Sequence, residues 1–220
     1  MLEGNEYFKC KVCKVTQKNT FYLYTYTLRT VVHHSTYTLT NMRVISGKFK
    51  GRVISAPKHI RPTQDNVKKG LFDILGDMQE ISFLELFAGS GSVGIEALSL
   101  GAHDTVFVEQ DRLCVTKLKE NLSLLGLNST SVLQGDASRV VENLSLKRKV
   151  FDLIFLDPPY YKDIAKKTLQ ILDAYDILGA RGFIVVQHFK KDILPENTEK
   201  LVLFRQVKYG DTILSFYNKK

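Results

Sequence analysis

Asp157, Pro158, Pro159 and Tyr160 follow directly on the apolar run Phe151–Leu156. The run reads as a buried strand, and two prolines cannot extend it because neither has an N–H for a sheet ladder. The strand must stop at Asp157, fixing a carboxylate, backbone carbonyls and an aromatic ring in a rigid turn at a strand's carboxyl end. Such a set suits the activation of a planar amine, whose lone pair is delocalised and whose nucleophilicity is poor. Asp157 and a carbonyl of the Pro158 turn can accept the amine's two N–H bonds so that its lone pair is directed outward, and Tyr160 can stack on the base that carries it. No nucleophilic triad or metal is required. Asp157 as the acceptor of the departing proton is a further role, one that water can also fill.

A second constellation lies upstream. Gly89-x-Gly91-x-x-Gly94 stands between an expected strand and an expected helix, with Glu109 twenty residues after the first glycine. Alone this satisfies a dinucleotide-binding fingerprint. Glu85, four residues before the first glycine, discriminates, because a carboxylate there repels a pyrophosphate and suits a cation. S-adenosylmethionine carries an α-ammonium and a sulfonium. Glu109 at the second strand end suits its ribose hydroxyls, and Asp136 in "LQGDA", at the third, suits its adenine amino group.

These residues need a scaffold. From Ile81 onward apolar runs alternate with helical patterns: "SFLELFA", "DTVFVE", "TSVLQ", "FDLIFL" and "GFIVVQH" as strands, with helices between them, including one capped by Asp111 and ended by Gly126. "KLVLFRQVK" and "TILSFYN", joined by "YGD", form a closing hairpin. The expectation is an α/β fold, a mainly parallel sheet of about seven strands with a terminal antiparallel hairpin and helices on both faces. Ahead of it, Gly47 and Gly51 punctuate a small β-hairpin, and a helix beginning near Thr63 places Val67, Leu71, Ile74 and Leu75 on its apolar face.

The net charge of +8 is unevenly spread. Residues 1–41 hold five Lys/Arg and two Asp/Glu, residues 42–70 eight and one, and residues 71–220 eighteen and twenty. A near-neutral core behind a basic segment points to a polyanionic partner. No apolar run is long enough to span a membrane, the start carries no secretory signal, and three cysteines make no even disulfide framework, so a cytoplasmic, reducing setting is expected.

On "MRVISGKFKGR", "RPTQDNVKKGLFDIL", "LELFAGSGSVGIEALSLGA", "VFVEQD", "LDPPY" and "KYGDTILSFY", the chain from Met42 to about Tyr217 resembles the RsmD family of bacterial 16S rRNA guanine-N2 methyltransferases, Rossmann-like class I enzymes that use S-adenosylmethionine. The resemblance implies catalysis by Asp157, Pro158, Pro159 and Tyr160. It implies cofactor binding by Glu85, Phe87, Ala88, Gly89, Ser90, Gly91, Glu109, Asp136 and Ala137. Arg43, Lys48, Lys50, Arg52, Arg61, Thr63 and Lys68 are then the RNA contacts, and the partner is small-subunit rRNA in a partly assembled 30S particle, met by a monomer without a metal or membrane. Three parts follow: 1–41, a leader or mis-assigned start ahead of Met42; 42–75, a basic RNA-binding hairpin and helix; and 76–220, the methyltransferase domain. Lys68, Lys69 and Gly70 stand where the family often has Arg-Glu-Ala, and Gln187 where it has Glu.

Other readings of the same motifs are a methyltransferase for adenine N6 or a protein glutamine amide, an RNA-binding assembly factor without turnover, and a nicotinamide-dependent reductase, which Glu85 opposes. Cys10-x-x-Cys13 with His33 and His34 makes a poor zinc set. Cys114 reads as core packing and His188 as a satisfied histidine at a strand end.

Overall fold

The computed structural model describes residues 39–60, 62–160 and 163–220. Cys10, Cys13, His33, His34 and Arg61, with the leader as a whole apart from its last residues, thus lie outside the described residues. The expected hairpin is β1 (Leu39–Arg43) against β2 (Val53–Pro57), antiparallel, with a short 3-10 turn at Gly47–Phe49 between them; it begins ahead of the expected boundary at Met42, because Leu39, Thr40 and Asn41 pair with Pro57, Ala56 and Ser55. Helix α1 (Asp65–Leu75) follows, and then the alternation β3 (Ser82–Leu86), α2 (Ser92–Ser99), β4 (Asp104–Glu109), α3 (Arg112–Leu124), β5 (Ser131–Gln134), α4 (Ala137–Leu146), β6 (Phe151–Leu156), α5 (Ile164–Tyr175), β7 (Leu178–Phe189), β8 (Leu201–Tyr209) and β9 (Thr212–Lys219).

The main sheet has the order β5-β4-β3-β6-β7-β9-β8. Pairings from β5 through β7 are parallel, while β9 runs antiparallel to both β7 and β8. From β3 the chain moves outward to β4 and β5, and then returns to lay β6 on the other side of β3. The crevice between β3 and β6 is therefore the switch point where ligands of such sheets bind.

Alternation along the strands sorts the core into two layers. Leu84, Leu86, Ile154 and Leu156 pack under α4 and α5 with Val141, Leu144, Leu169 and Leu172. Phe83, Phe155, Val185 and Phe216 point the other way, under α1 and α2 with Val67, Leu71, Val93 and Ala97. The N-terminal hairpin shares this second side: Val44 and Ile54 join Ile95 of α2, Phe107 of β4 and Leu118 and Leu122 of α3 in one cluster. Strand β7 starts four residues before the expected Gly182, because its register against β6 shifts between Phe151 and Leu153, a bulge that takes up Gly179 and Gly182. No helix among the described residues is long and apolar enough to cross a membrane.

Candidate functional site

Register puts the candidate residues on one rim. Leu86 pairs with Val108 of β4 and with Leu156 of β6, so the next residues along, Phe87, Glu109 and Asp157, stand level at three adjacent strand ends. With about 4.8 Å between neighbouring strands, Asp157 and Glu109 are separated by about 10 Å, with the glycine loop between them.

That loop is held in a strained shape by its own backbone. Phe87, Gly89 and Gly91 all have positive φ, 60°, 54° and 75°. Two glycines adopt this freely; Phe87 does so at a cost of the size found at ligand clamps. A Cβ on Gly91 would lie 2.3 Å from Leu118, whereas one on Gly89 would meet only the end of Ile60 at 3.2 Å. Gly91 is thus required by the packing below the loop, while at Gly89 the close neighbour is the flexible end of Ile60. Ser90 and Ala88 are buried in the loop's underside, and Asn121 of α3 donates to the Ser90 carbonyl at 3.2 Å. Ala137, also buried, is the first residue of α4.

The acids are committed to main-chain donors to differing degrees. Glu109 accepts from Gly89 N and Asp111 N, both at 2.8 Å, tying the loop to the end of β4. Its carboxylate still has lone pairs for ribose hydroxyls, since two oxygens offer about four acceptor sites. Asp136 is exposed and caps α4 through Ser138 N and Arg139 N. Glu85 departs from the expectation of a carboxylate facing a cation. It is buried beneath the loop on the α2 side and accepts from Gly94 N at 2.9 Å. Burial pushes its carboxyl up to about 8, the Gly94 and Val93 N–H groups oppose that, and the charges of Asp157 and Glu109 add to it. Glu85 acts on the loop from below, and Gly94 is needed because a Cβ there would lie 2.7 Å from this carboxyl and 2.4 Å from Phe107.

Across the switch point, Asp157 is half-buried, Pro158 buried and Pro159 exposed. Asp157 Oδ2 accepts from the Thr63 hydroxyl at 3.2 Å and from Gln187 Nε2 at 2.7 Å. Tyr160 sits with its ring 5.8 Å from that of Phe189, its hydroxyl 3.3 Å from Thr212 Oγ1. Tyr160, Phe189 and Thr212 line a cleft of about 300 Å³ together with Gln64, Asn66 and Tyr209, room enough for a nucleobase beside the Asp157 turn.

Of the expected RNA contacts, Arg43, Lys48, Lys50 and Arg52 are exposed on the hairpin. Thr63 and Lys68 are not. Thr63 is buried against Asp157, as described. Lys68 is fully buried, its ammonium 3.4 Å from Glu96 and 3.1 Å from Asp65, while Glu96 also accepts from Ile45 N and Ser46 N. This lysine ties α1 to α2 and the hairpin, so it offers nothing to a phosphate; Lys69 is the exposed neighbour. Gly70 has a reason of its own, since a Cβ would fall 1.9 Å from the Tyr209 hydroxyl.

His188 is satisfied. Its Nδ1–H donates to the Phe189 carbonyl at 3.0 Å, which leaves Nε2 to accept from Ser215 at 2.8 Å, and burial holds its pKa down. Cys114 is buried with its thiol pushed up to about 12 by burial, close to His59 and Asp111, whose own carboxylate caps α3. The neighbour of Asp157 missed from sequence is Gln187, visible there only as a departure from the family pattern.

Comparison with known proteins finds relatives over most of the chain. Residues 42–218 match the family model described as Conserved hypothetical protein 95. YlbH of Bacillus subtilis (strain 168) is 40% identical over 183 residues, 81% of this chain and 100% of the relative. Ribosomal RNA small subunit methyltransferase D of Escherichia coli (strain K12) is 29% identical over 182 residues, 81% of this chain and 90% of the relative. The solved structure of yhhF from Escherichia coli superposes with a TM-score of 0.74 at 28% identity, over 82% of this chain and 99% of that one.

Proposed function

The chain belongs to the RsmD family of rRNA methyltransferases, and from that premise we propose that it transfers a methyl group from S-adenosylmethionine to the exocyclic N2 amine of a guanine in small-subunit rRNA. The observation that carries this reading is the level placement of Asp157 and Glu109 on either side of a loop shaped by positive φ at Phe87, Gly89 and Gly91. The residues present fit the cofactor. Glu109 offers spare acceptor sites to ribose hydroxyls, Asp136 is exposed next to Ala137 for the adenine, and Phe87 to Gly91 form the floor. When bound, S-adenosylmethionine supplies an electrophilic sulfonium methyl.

The chain's own residues prepare the amine. Asp157 and a carbonyl of the Pro158–Pro159 turn accept its N–H bonds, which localises the nitrogen lone pair and aims it along the transfer direction. Tyr160 stacks on the base, and the cleft beside it leaves room for the flanking strand. The proton released passes to Asp157 or to water. Arg43, Lys48, Lys50 and Arg52 hold the RNA backbone, so residues 42–75, with Leu39–Asn41 paired into the same hairpin, act as the RNA-binding part and residues 76–220 as the methyltransferase domain. The partner is small-subunit rRNA in a partly assembled 30S particle, met by a monomer in the bacterial cytoplasm.

The test is methyl transfer from labelled S-adenosylmethionine to naked small-subunit rRNA and to partly assembled subunits, followed by nucleoside mass spectrometry. N2-methylguanosine at one position is the expected product. Label in methyladenosine or in a protein glutamine would replace this reading, and absence of label in both substrates would remove it.

A further inference from the structure

Gln187 makes a choice that its own hydrogen bonding does not explain. Its Nε2 donates to Asp157 Oδ2 at 2.7 Å, while its Oε1 is buried with no partner among the described residues. A buried acceptor left without a donor is costly, and native structures rarely carry one without a reason. Turning the amide over would face Oε1 with the carboxylate and is worse as long as Asp157 is ionised. The side chain is thus placed for its N–H, and the N–H is placed for a carboxylate. Thr63, from the segment leading into α1, adds a second donor to the same oxygen at 3.2 Å.

We propose that Gln187 and Thr63 are positioning residues that hold Asp157 as an oriented, ionised acceptor for the target amine; the proposal rests on the reading of Asp157 given above. Both bonds fall on Oδ2, so that oxygen is held from two elements, β7 and the lead-in to α1. The groups that face Asp157 come from several elements. Glu85 approaches from β3 and Glu109 from β4, both acids, and Tyr160 stands in the turn itself. On β7, His188 faces the opposite layer of the sheet and is spent on Ser215. On α1, Lys68 is held by Asp65 and Glu96. Two neutral donors on one oxygen favour the ionised form without adding a charge that would hinder a cationic cofactor.

The test uses the full chain, with unmodified small-subunit rRNA and partly assembled subunits as substrates, and reads pH profiles as well as rates. Gln187→Leu is expected to lower kcat about 10- to 100-fold, leave S-adenosylmethionine affinity within about twofold, and move the acid limb of the kcat profile up by about one pH unit or more. Thr63→Val should shift it the same way by less, and Thr63→Ser should restore it. Gln187→Glu sets a second carboxyl against Asp157, so its acid limb should move further up, with activity regained at high pH. Titration of the Asp157 carboxyl carbon by NMR in the cofactor-free protein reads the same effect without turnover, so it stands even if methyl transfer to RNA fails. A raised Asp157 titration in Gln187→Leu and Gln187→Glu supports the proposal. Unchanged carboxyl titration and unchanged pH profiles in folded variants, whatever their rates, would overturn it, because a merely structural glutamine changes stability and not the proton affinity of its neighbour.

Discussion

Glu85 gives the sharpest prediction about stability. Its folded carboxyl titrates at about 8 against an ordinary 4.5, chiefly because burial penalises its charge. In the unfolded chain it ionises near 4.5, so between there and about pH 8 the folded protein holds one proton more. Stability from this group is complete below the unfolded value and is lost as pH rises through the folded one. The slope is about 1.4 kcal/mol per pH unit, and the whole window sets a ceiling of about 5 kcal/mol. Glu85→Gln imitates the protonated acid: its carbonyl can still accept from Gly94 N, and it cannot ionise. Urea unfolding of cofactor-free wild type and variant, followed by far-ultraviolet circular dichroism because the chain has no tryptophan, should give similar stabilities near pH 4.5. The variant should then gain on the wild type with each pH unit up to about 8 and level off. Taking the difference cancels the other titrating groups. Parallel curves from pH 4.5 to 9 would show that Glu85 is ionised in the folded protein and that the account of the loop's underside is wrong.

Asp157→Ala should cut methyl transfer by about 2 to 4 kcal/mol of transition-state stabilisation while leaving cofactor affinity intact, measured by single-turnover transfer and calorimetry; more than a tenth of wild-type turnover would remove it from the mechanism. Lys68→Met leaves Glu96 buried without its cation and should cost about 3 kcal/mol of unfolding free energy, yet leave the salt dependence of RNA binding unchanged. Replacing Lys48, Lys50 and Arg52 by Ser should do the reverse, reducing the slope of log affinity against log salt by about 2 with little change in stability; an unchanged slope would move the RNA face elsewhere. Gly70→Ala should destabilise by about 1 to 3 kcal/mol through collision with Tyr209, and a double-mutant cycle with Tyr209→Leu should recover part of it if that contact is the cause.

The residues differ in how far they could be read without the structure, and the difference is one of range. The α/β alternation was legible because period-2 and period-3.6 patterns are local, and Phe151–Leu156 and Asp104–Glu109 are strands with the expected bounds. The glycine loop was legible because its shape is written in residues that tolerate positive φ. Thr63 and Lys68 look like surface contacts in the sequence because a basic segment carries no mark of which side chains turn inward. Thr63 meets Asp157 across 94 residues and Lys68 meets Glu96 across 28, pairings that only the folded layers reveal. The early start of β7 was hidden for a related reason, since a bulge is defined by the partner strand and not by the bulged one.

The four strand-end carboxyls divide along the same line. Glu85, Glu109 and Asp136 accept from main-chain N–H groups of Gly94, Gly89, Asp111, Ser138 and Arg139, partners that every sequence with this backbone supplies. Their positions are therefore set once the loops are set, and substitutions around them alter packing more than direction. Asp157 is met at Oδ2 by two side chains, Thr63 and Gln187. A carboxyl oriented by side chains can have its proton affinity and its aim changed by single substitutions without rebuilding the loop. On the reading proposed here, that places the cofactor half of the site under backbone control and the half that meets the amine under side-chain control. Variation in cofactor affinity and in methyl-transfer rate should then separate, with substitutions at Thr63 and Gln187 moving the rate and its pH dependence, and those at Gly89, Gly91 and Gly94 moving affinity and stability together.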